Sequence, residues 1–169
     1  LIDPKRKLPE FITKLTHITD EMLEGKDNEE NVTKRFLEFC KDTILVAHNA
    51  EFDMGFIASV MDRYNLGKFD FTVIDTMNLA RNMYPSWRNH KLSTLVRELG
   101  VDFDEEGHHR ADYDSEGTAK CFHKMLLSLK NEKKDTTQGL IDLVDKENII
   151  KFARPFHMTI LAKNAEGLK

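Results

Sequence analysis

Apolar residues recur at intervals of three and four along much of the chain, which is the spacing of one buried face of an α-helix. This spacing predicts helices over residues 28–40, from Asn49 to Tyr64, over 75–83, over 92–99 and from about 112 to 130. Residues 1–27 lack the spacing and contain two prolines, so that segment is predicted to be irregular.

Two short apolar runs, residues 43–47 and 71–74, are rich in β-branched or aromatic residues and predict buried strands. Strands that alternate with helices indicate an α/β fold with parallel pairing. Sheets usually hold about four to six strands, and two would leave these helices little to cover. We therefore expect that further N-terminal strands of the fold are missing from this sequence and lie before Leu1.

The composition changes toward the C-terminal end of the chain. Residues 131–135 form a charged run, which is typical of a solvated boundary. Beyond it, a short helix is predicted over 139–150 and a strand over 156–162, and a piece of this size cannot bury a core alone. We expect residues 1–130 to form one partial domain and 131–169 to form a linker and the start of a neighbouring segment.

Composition narrows the possible functions. The chain has 169 residues, 40% of them hydrophobic, and a net charge of −4, so any binding of nucleic acid must depend on a local patch or on bound metal. Cys40 and Cys121 lie on apolar helix faces and are predicted to be buried thiols of a reducing compartment. These thiols lead us to expect a cytoplasmic protein. No apolar run approaches the roughly 18 residues of a membrane span, so no membrane segment is expected.

An aspartate follows the first predicted strand, in the segment AHNAEFD at 47–53. Ligands of open α/β sheets bind at the carboxyl ends of strands. On the predicted helix Asp53 shares a face with Ile57 and Val60, so we expect it to point toward the sheet edge rather than to bulk water. An acidic residue stabilised by the helix dipole in a first turn would explain Asp53 equally well.

A second aspartate lies in the segment HHRADYD at 108–114. Asp114 continues the apolar face of the last long helix into its first turn, and an inward carboxylate is costly unless it is paired or binds metal. His109 lies five residues earlier, in a predicted loop, and a histidine suits a general base near neutral pH. A helix-start acid and a solvated loop histidine are the plainer alternatives, and His108 competes with His109.

Carboxylates and a histidine at strand and helix ends favour a metal-assisted attack of water on phosphorus. Two Mg²⁺ or Mn²⁺ ions, about 3.5–4 Å apart, stabilise the attacking and leaving oxygens of such a reaction. These hard ions prefer oxygen ligands. Zinc is disfavoured because the sequence contains no CxxC or HExxH pattern, and no glycine-rich phosphate loop is present either.

The two segments resemble the motifs of the DEDDh exonucleases, which have a ribonuclease-H-like α/β fold. One family motif is an asparagine followed shortly by Phe-Asp, and Asn49 and Phe52-Asp53 match it. Another is a histidine and an aspartate separated by four residues, and His109 and Asp114 match it. His108 does not fit this spacing.

Within that family the chain is similar to the proofreading domain of the PolC-type bacterial replicative DNA polymerases, and residues 154–169 resemble the place where the PHP domain of those polymerases resumes. The resemblance implies that Asp53 and Asp114 bind two Mg²⁺ or Mn²⁺ ions and that His109 deprotonates water. It also implies a DNA 3′ end as substrate, and the rest of the polymerase chain and a sliding clamp as partners. The candidates for contacting the nucleotide are His48, Asn49 and Phe56, although capping or core packing also explains the last two.

Two departures from the family pattern matter. The sequence has no Asp-x-Glu motif on an opening apolar strand, and the family uses those two carboxylates with Asp53 and Asp114, so this chain alone is expected to bind metal poorly and hydrolyse little. His17 stands where relatives often have glycine. Two alternative functions stay open: a DEDDh exoribonuclease, and a non-catalytic exonuclease-like scaffold that binds a replication partner.

Overall fold

A computed structural model describes residues 1–102, 111–130, 132 and 134–144. Two parallel strands lie among helices in this part of the chain. The helices are α1 (Glu10–Thr16), α2 (Asp20–Leu23), α3 (Glu29–Phe39), α4 (Ala50–Arg63), α5 (Thr76–Met83), α6 (Leu92–Glu98), α7 (Ala111–Lys130) and α8 (Thr137–Leu143), and the strands are β1 (Leu45–Ala47) and β2 (Val73–Asp75).

The N-terminal segment is not irregular, so that prediction is wrong. It forms α1 and α2, which are too short to show an apolar period and which local contacts hold instead. Lys14 pairs with Glu10 one turn away, and the Leu8 amide donates to Asp20 at 2.9 Å. His17 ends α1 in the left-handed conformation, with φ 58° and ψ 16°. Glycine adopts that conformation without strain, so a glycine would suit this position better than a histidine does.

The strands pair in parallel, with Leu45 opposite Val73 and Ala47 opposite Asp75. Helix α4 makes the crossover between them, so β1, α4 and β2 form a βαβ unit, and the predicted α/β class is confirmed. Both strands end at the same edge of the sheet. Helices α4 and α5 begin within three residues of those ends, which places their first turns side by side.

The core lies between α5, α6, α7 and the sheet. The members on α6 and α7 recur at helical spacing, as the sequence pattern predicted. The whole core consists of Ile74, Leu79, Ala80, Leu95, Val96, Cys121, Met125, Leu129 and Leu140. Burial of each large side chain contributes about 1.5–3 kcal/mol. Cys40 and Cys121 are both buried and free, which confirms that prediction, and burial raises the pKa of the Cys121 thiol to about 11.

Helix α7 is amphipathic along its 20 residues. Its inner face reaches the core, while Lys120 and Glu116 pair on the outer face at 2.7 Å. Across the described ranges, no helix is both long enough and apolar enough to cross a membrane.

Helix α8 lies beyond the boundary predicted at residue 130. Its Leu140 is 4% exposed and belongs to the same core as α5 and α7. The predicted helix at 139–150 overlaps α8 but begins two residues late. The predicted strand at 156–162 lies outside the described residues.

Candidate active site

One carboxylate, that of Asp75, joins the two helix starts at the strand ends. Its Oδ1 accepts hydrogen bonds from the amides of Met77 (2.8 Å) and Asn78 (3.3 Å) in the first turn of α5. The same carboxylate accepts from the amides of Asn49 and Ala50, each at 3.1 Å, where α4 begins. A carboxylate that takes up the free N–H groups of two helices fixes their relative position.

Asn49 precedes α4 in the N-cap position, as predicted, but its side chain makes no capping hydrogen bond. Its backbone is left-handed, with φ 65° and ψ 49°, a conformation that asparagine tolerates better than most residues. That conformation turns the Asn49 and Ala50 amides toward Asp75, which takes the capping role instead.

Asp53 and Asp114 line the same cleft. It has a volume of about 770 Å³ and is open to solvent. Asp53 comes from the first turn of α4, whereas Asp114 comes from the first turn of α7, and 60 residues separate them in sequence. The remaining wall residues are mostly apolar and come from β1, α6 and α7: Val46, Ala47, Leu92, Ser93, Ala111, Ser115, Thr118, Ala119, Phe122 and Leu126, with His48 and His123.

Asp53 is exposed, so the expectation that it points away from bulk water is wrong. The helix-face argument assumed that packed structure covers this side of α4, and the described residues leave it open. Partial desolvation against the cleft wall raises the pKa of the Asp53 carboxyl, and the negative charge of Asp75 raises it further. Asp53 therefore holds its proton to a higher pH than an ordinary aspartate does.

This pKa shift makes a testable prediction. In the Asp75→Asn variant the pKa of Asp53 is expected to fall toward its ordinary value, because one of the two effects that raise it is removed. NMR titration of the side-chain carboxyl carbon in the metal-free chain measures the change. Asp70→Asn serves as the matched control, and an unchanged or raised Asp53 pKa in Asp75→Asn would contradict the electrostatic account.

Asp114 is half-buried at the start of α7, which agrees with the inward position expected from its helix face. His109 and His108 lie outside the described residues. His123, on the same face of α7, also lines the cleft, and the sequence reasoning missed it. The sequence contained a signal for His123, because the positions of α7 that line the cleft are spaced alternately by three and by one. They are residues 111, 114, 115, 118, 119, 122, 123 and 126.

His48 is the one of the three candidate nucleotide contacts that lies in the cleft wall. Its Nδ1 lies 3.0 Å from Thr76 Oγ1, and its Nε2 is buried. Burial lowers the pKa of His48. The negative charge of Asp75 acts in the opposite direction but does not reverse the shift, so the ring is neutral at neutral pH.

Asn49 and Phe56 are exposed and do not belong to the described cleft wall. Phe56 is 64% exposed and packs edge-to-face on Phe52, with ring centroids 5.1 Å apart. It is therefore not a core residue in this structure.

The cleft partly fits a divalent metal. Asp53 and Asp114 supply the hard oxygen donors that Mg²⁺ and Mn²⁺ prefer. Within residues 1–102, 111–130 and 134–144, no group of three or more His, Cys, Asp or Glu residues is placed to hold an ion. The described residues thus provide two donors of a larger set.

Comparison with known proteins identifies the family to which the chain belongs. A sequence model of the family described as Exonuclease matches residues 1–122, and the chain belongs to this family. The solved structure of exonuclease X in complex with 5′ overhanging duplex DNA has a similar fold, with a TM-score of 0.55 and 25% identity over 86% of this chain and 79% of that one. The ribonuclease-H-like exonuclease fold is thereby confirmed, and the family generally uses divalent metal ions.

Among its relatives are several bacterial proteins named DNA polymerase III PolC-type. The chain is 43% identical to the one from Listeria monocytogenes serovar 1/2a over 99% of its own length. It is also 43% identical to the one from Streptococcus pyogenes serotype M18, again over 99% of its length. The chain spans only 12% and 11% of these two relatives.

Proposed function

We propose that the chain is part of the proofreading 3′–5′ exonuclease of a PolC-type bacterial replicative DNA polymerase. The observation that carries the proposal is the position of Asp53 and Asp114, which come from separate helices and line one cleft. The identity of 43% to PolC-type polymerases supports the particular polymerase. Exonuclease X, a structural neighbour, is in complex with DNA, which supports DNA as the substrate.

The proposed roles follow from the chemistry of each side chain. Asp53 and Asp114 hold the divalent metal through their carboxylate oxygens, and His109 accepts a proton from the attacking water. When bound, two Mg²⁺ or Mn²⁺ ions neutralise charge on the attacking and leaving oxygens. His48 is neutral and presents an uncharged ring to the cleft, so it contacts the nucleotide without adding a charge to the metal ligands.

The proposed reaction needs the end of a single strand in the cleft. A terminal nucleotide must leave its base pair to bring its last phosphodiester between Asp53 and Asp114. Unpairing costs a few kcal/mol for a matched base and less for a mismatch, so mispaired ends enter first. Hydrolysis then releases a nucleoside 5′-monophosphate.

The proposal extends to the organisation of the polypeptide. Residues 1–130 form the exonuclease part, and 131–169 link it to the start of a PHP segment, with α8 at the beginning of this link packed on the exonuclease core through Leu140. The rest of the polymerase chain and a sliding clamp are the proposed protein partners, and the cytoplasm is the proposed location. The small share of the relatives that this chain spans supports its place within a larger enzyme.

The test uses the polymerase polypeptide that contains this chain, a 5′-labelled primer and Mg²⁺ without deoxynucleotides. A primer with a 3′ mispair is expected to lose its last nucleotide at least about tenfold faster than a matched one, since each 1.4 kcal/mol of unpairing cost is a factor of ten. Single-stranded RNA of the same sequence is the control substrate. Equal degradation of the RNA would favour an exoribonuclease, and binding without degradation would favour a scaffold.

A further inference from the structure

The segment between α5 and α6 is a well-supported loop next to the cleft. Tyr84 and Trp87 stack face to face, with ring centroids 4.2 Å apart and planes inclined by 8°. Trp87 also stacks on His90, at 6.2 Å and 21°. His90 is 5% exposed, and its Nε2 donates to the Tyr84 carbonyl at 3.0 Å. The stacked rings of Tyr84, Trp87 and His90 thus fix the conformation of the loop.

Asn89 anchors the other end of the loop. Its Oδ1 accepts from the Lys91 amide at 3.1 Å and from Thr94 Oγ1 at 2.7 Å, which ties the loop to the first turns of α6. With Trp87 stacked and His90 buried, the loop exposes Arg88 and Lys91. Their backbone positions are therefore set before any ligand arrives.

Lys91 lies at the edge of the cleft, and Arg88 is exposed on the same loop three residues earlier. Lys91 immediately precedes Leu92 and Ser93, both of which line the cleft. In the part of the chain that the structure describes, neither Arg88 nor Lys91 has an acidic partner, whereas Arg97, on the helix that follows, pairs with Glu98 at 2.8 Å. Among the described residues no carboxylate pairs with either charge, so both can interact with an anion.

A strand of nucleic acid needs positive charges next to the cleft in order to bind. The chain carries a net charge of −4, and the cleft itself contains Asp53 and Asp114, so a polyanion would otherwise be repelled. We infer that Arg88 and Lys91 hold the phosphodiester backbone of the strand whose 3′ end lies in the cleft. This inference rests on the proposed function and adds a binding surface to it.

The chemistry suits phosphate rather than bases. An arginine guanidinium forms paired hydrogen bonds with phosphate oxygens, and a lysine ammonium binds them as a compact charge. Such contacts position a strand without reading its sequence. Arg88 and Lys91 are therefore expected to affect strands of different sequence equally.

The salt dependence of binding tests the inference. Fluorescence anisotropy of a labelled single-stranded oligonucleotide is measured with the chain in EDTA over a range of monovalent salt. Each phosphate contact contributes a slope of about −0.7 to the plot of log affinity against log salt. The double variant Arg88→Gln/Lys91→Gln is expected to lose about 1.4 of the slope and to bind roughly tenfold more weakly at low salt.

Matched variants separate this effect from a general loss of charge or fold. Lys26→Gln/Lys68→Gln removes two exposed lysines that do not belong to the cleft wall and should keep the wild-type slope. Arg88→Lys should keep most of the slope because the charge remains. Melting curves by circular dichroism are expected to be the same for all variants.

Two results would overturn the inference, and they differ in their consequence for the exonuclease proposal. If wild-type chain binds the oligonucleotide and Arg88→Gln/Lys91→Gln keeps the slope of the Lys26→Gln/Lys68→Gln control, the surface is wrong while the exonuclease proposal stands. If wild-type chain does not bind the oligonucleotide, the surface is wrong, and the primer assay decides separately whether the proposed activity fails too.

Discussion

Asp53→Asn and Asp114→Asn are each expected to slow the release of nucleotides from a DNA 3′ end by at least about 100-fold. Asparagine keeps the shape of the side chain and one oxygen, but it removes the negative charge that a hard divalent cation requires. The rate is measured in a single turnover with the polymerase polypeptide that contains this chain. Mn²⁺ affinity, measured by calorimetry, should fall with it.

Asp62→Asn is the matched control for this effect, since Asp62 is exposed on α4 and does not belong to the described cleft wall. It should leave both the hydrolysis rate and Mn²⁺ binding unchanged. Extension of a matched primer by the same preparations provides an internal reference. Hydrolysis at close to the wild-type rate in either Asp53→Asn or Asp114→Asn would contradict the assigned roles.

Asp53→Asn is expected to lose activity without losing free energy of unfolding. Because the folded-state pKa of Asp53 is raised, the folded chain binds this proton more tightly than the unfolded chain does. Ionised Asp53 therefore lowers the free energy of unfolding. This penalty is complete above the raised folded-state pKa and disappears as the pH falls below the pKa of the unfolded state. A neutral asparagine removes the penalty, so the loss of activity is expected without loss of stability at neutral pH.

Asp75→Ala is expected to cost about 3 kcal/mol of the free energy of unfolding. The substitution removes the acceptor for the amides of Asn49, Ala50, Met77 and Asn78, and loss of a cap typically costs about 0.5–2 kcal/mol per helix, more when the acceptor is charged. The melting temperature should fall by about 6–12 °C. Far-UV circular dichroism of the chain follows both quantities.

Asp70→Ala is the control for this prediction, because Asp70 is exposed in the segment just before β2 and has no hydrogen-bond partner in the described residues. Asp75→Asn should fall between the two, since it keeps one oxygen acceptor but loses the charge. An Asp75→Ala variant as stable as Asp70→Ala would show that the two helix starts are held by other contacts.

The apolar pattern located the central helices and both strands, but the expectation that both strands are buried is wrong. In β1, Val46 is 38% exposed, because the described residues leave one side of this strand uncovered. Apolar periods identified α3, α4 and α7, and the burial of one apolar face is most complete in α7, where Cys121, Met125 and Leu129 reach the core. The short N-terminal helices escaped prediction for the converse reason: α1 buries no residue and depends on local bonds such as that from Thr16 Oγ1 to the Ile12 carbonyl.

The site was only partly predictable. Asp53 was identified because it follows a predicted strand, and Asp114 because it continues the apolar face of a helix into its first turn. The role of Asp75 could not be seen, since the amides that it accepts from in α4 lie 25 and 26 residues away in sequence. A contact of that range depends on the pairing of β1 with β2, which only the folded structure supplies. His109 stays a prediction.

The stacked rings of the loop before α6 also have an optical consequence. Trp87 is the single tryptophan of the chain, and its indole lies against Tyr84 and near His90. Its emission therefore reports the state of this one loop without any added dye. A nucleobase or phosphate that displaces the ring would change the signal directly, so strand arrival could be timed in a stopped-flow instrument on the unmodified polypeptide.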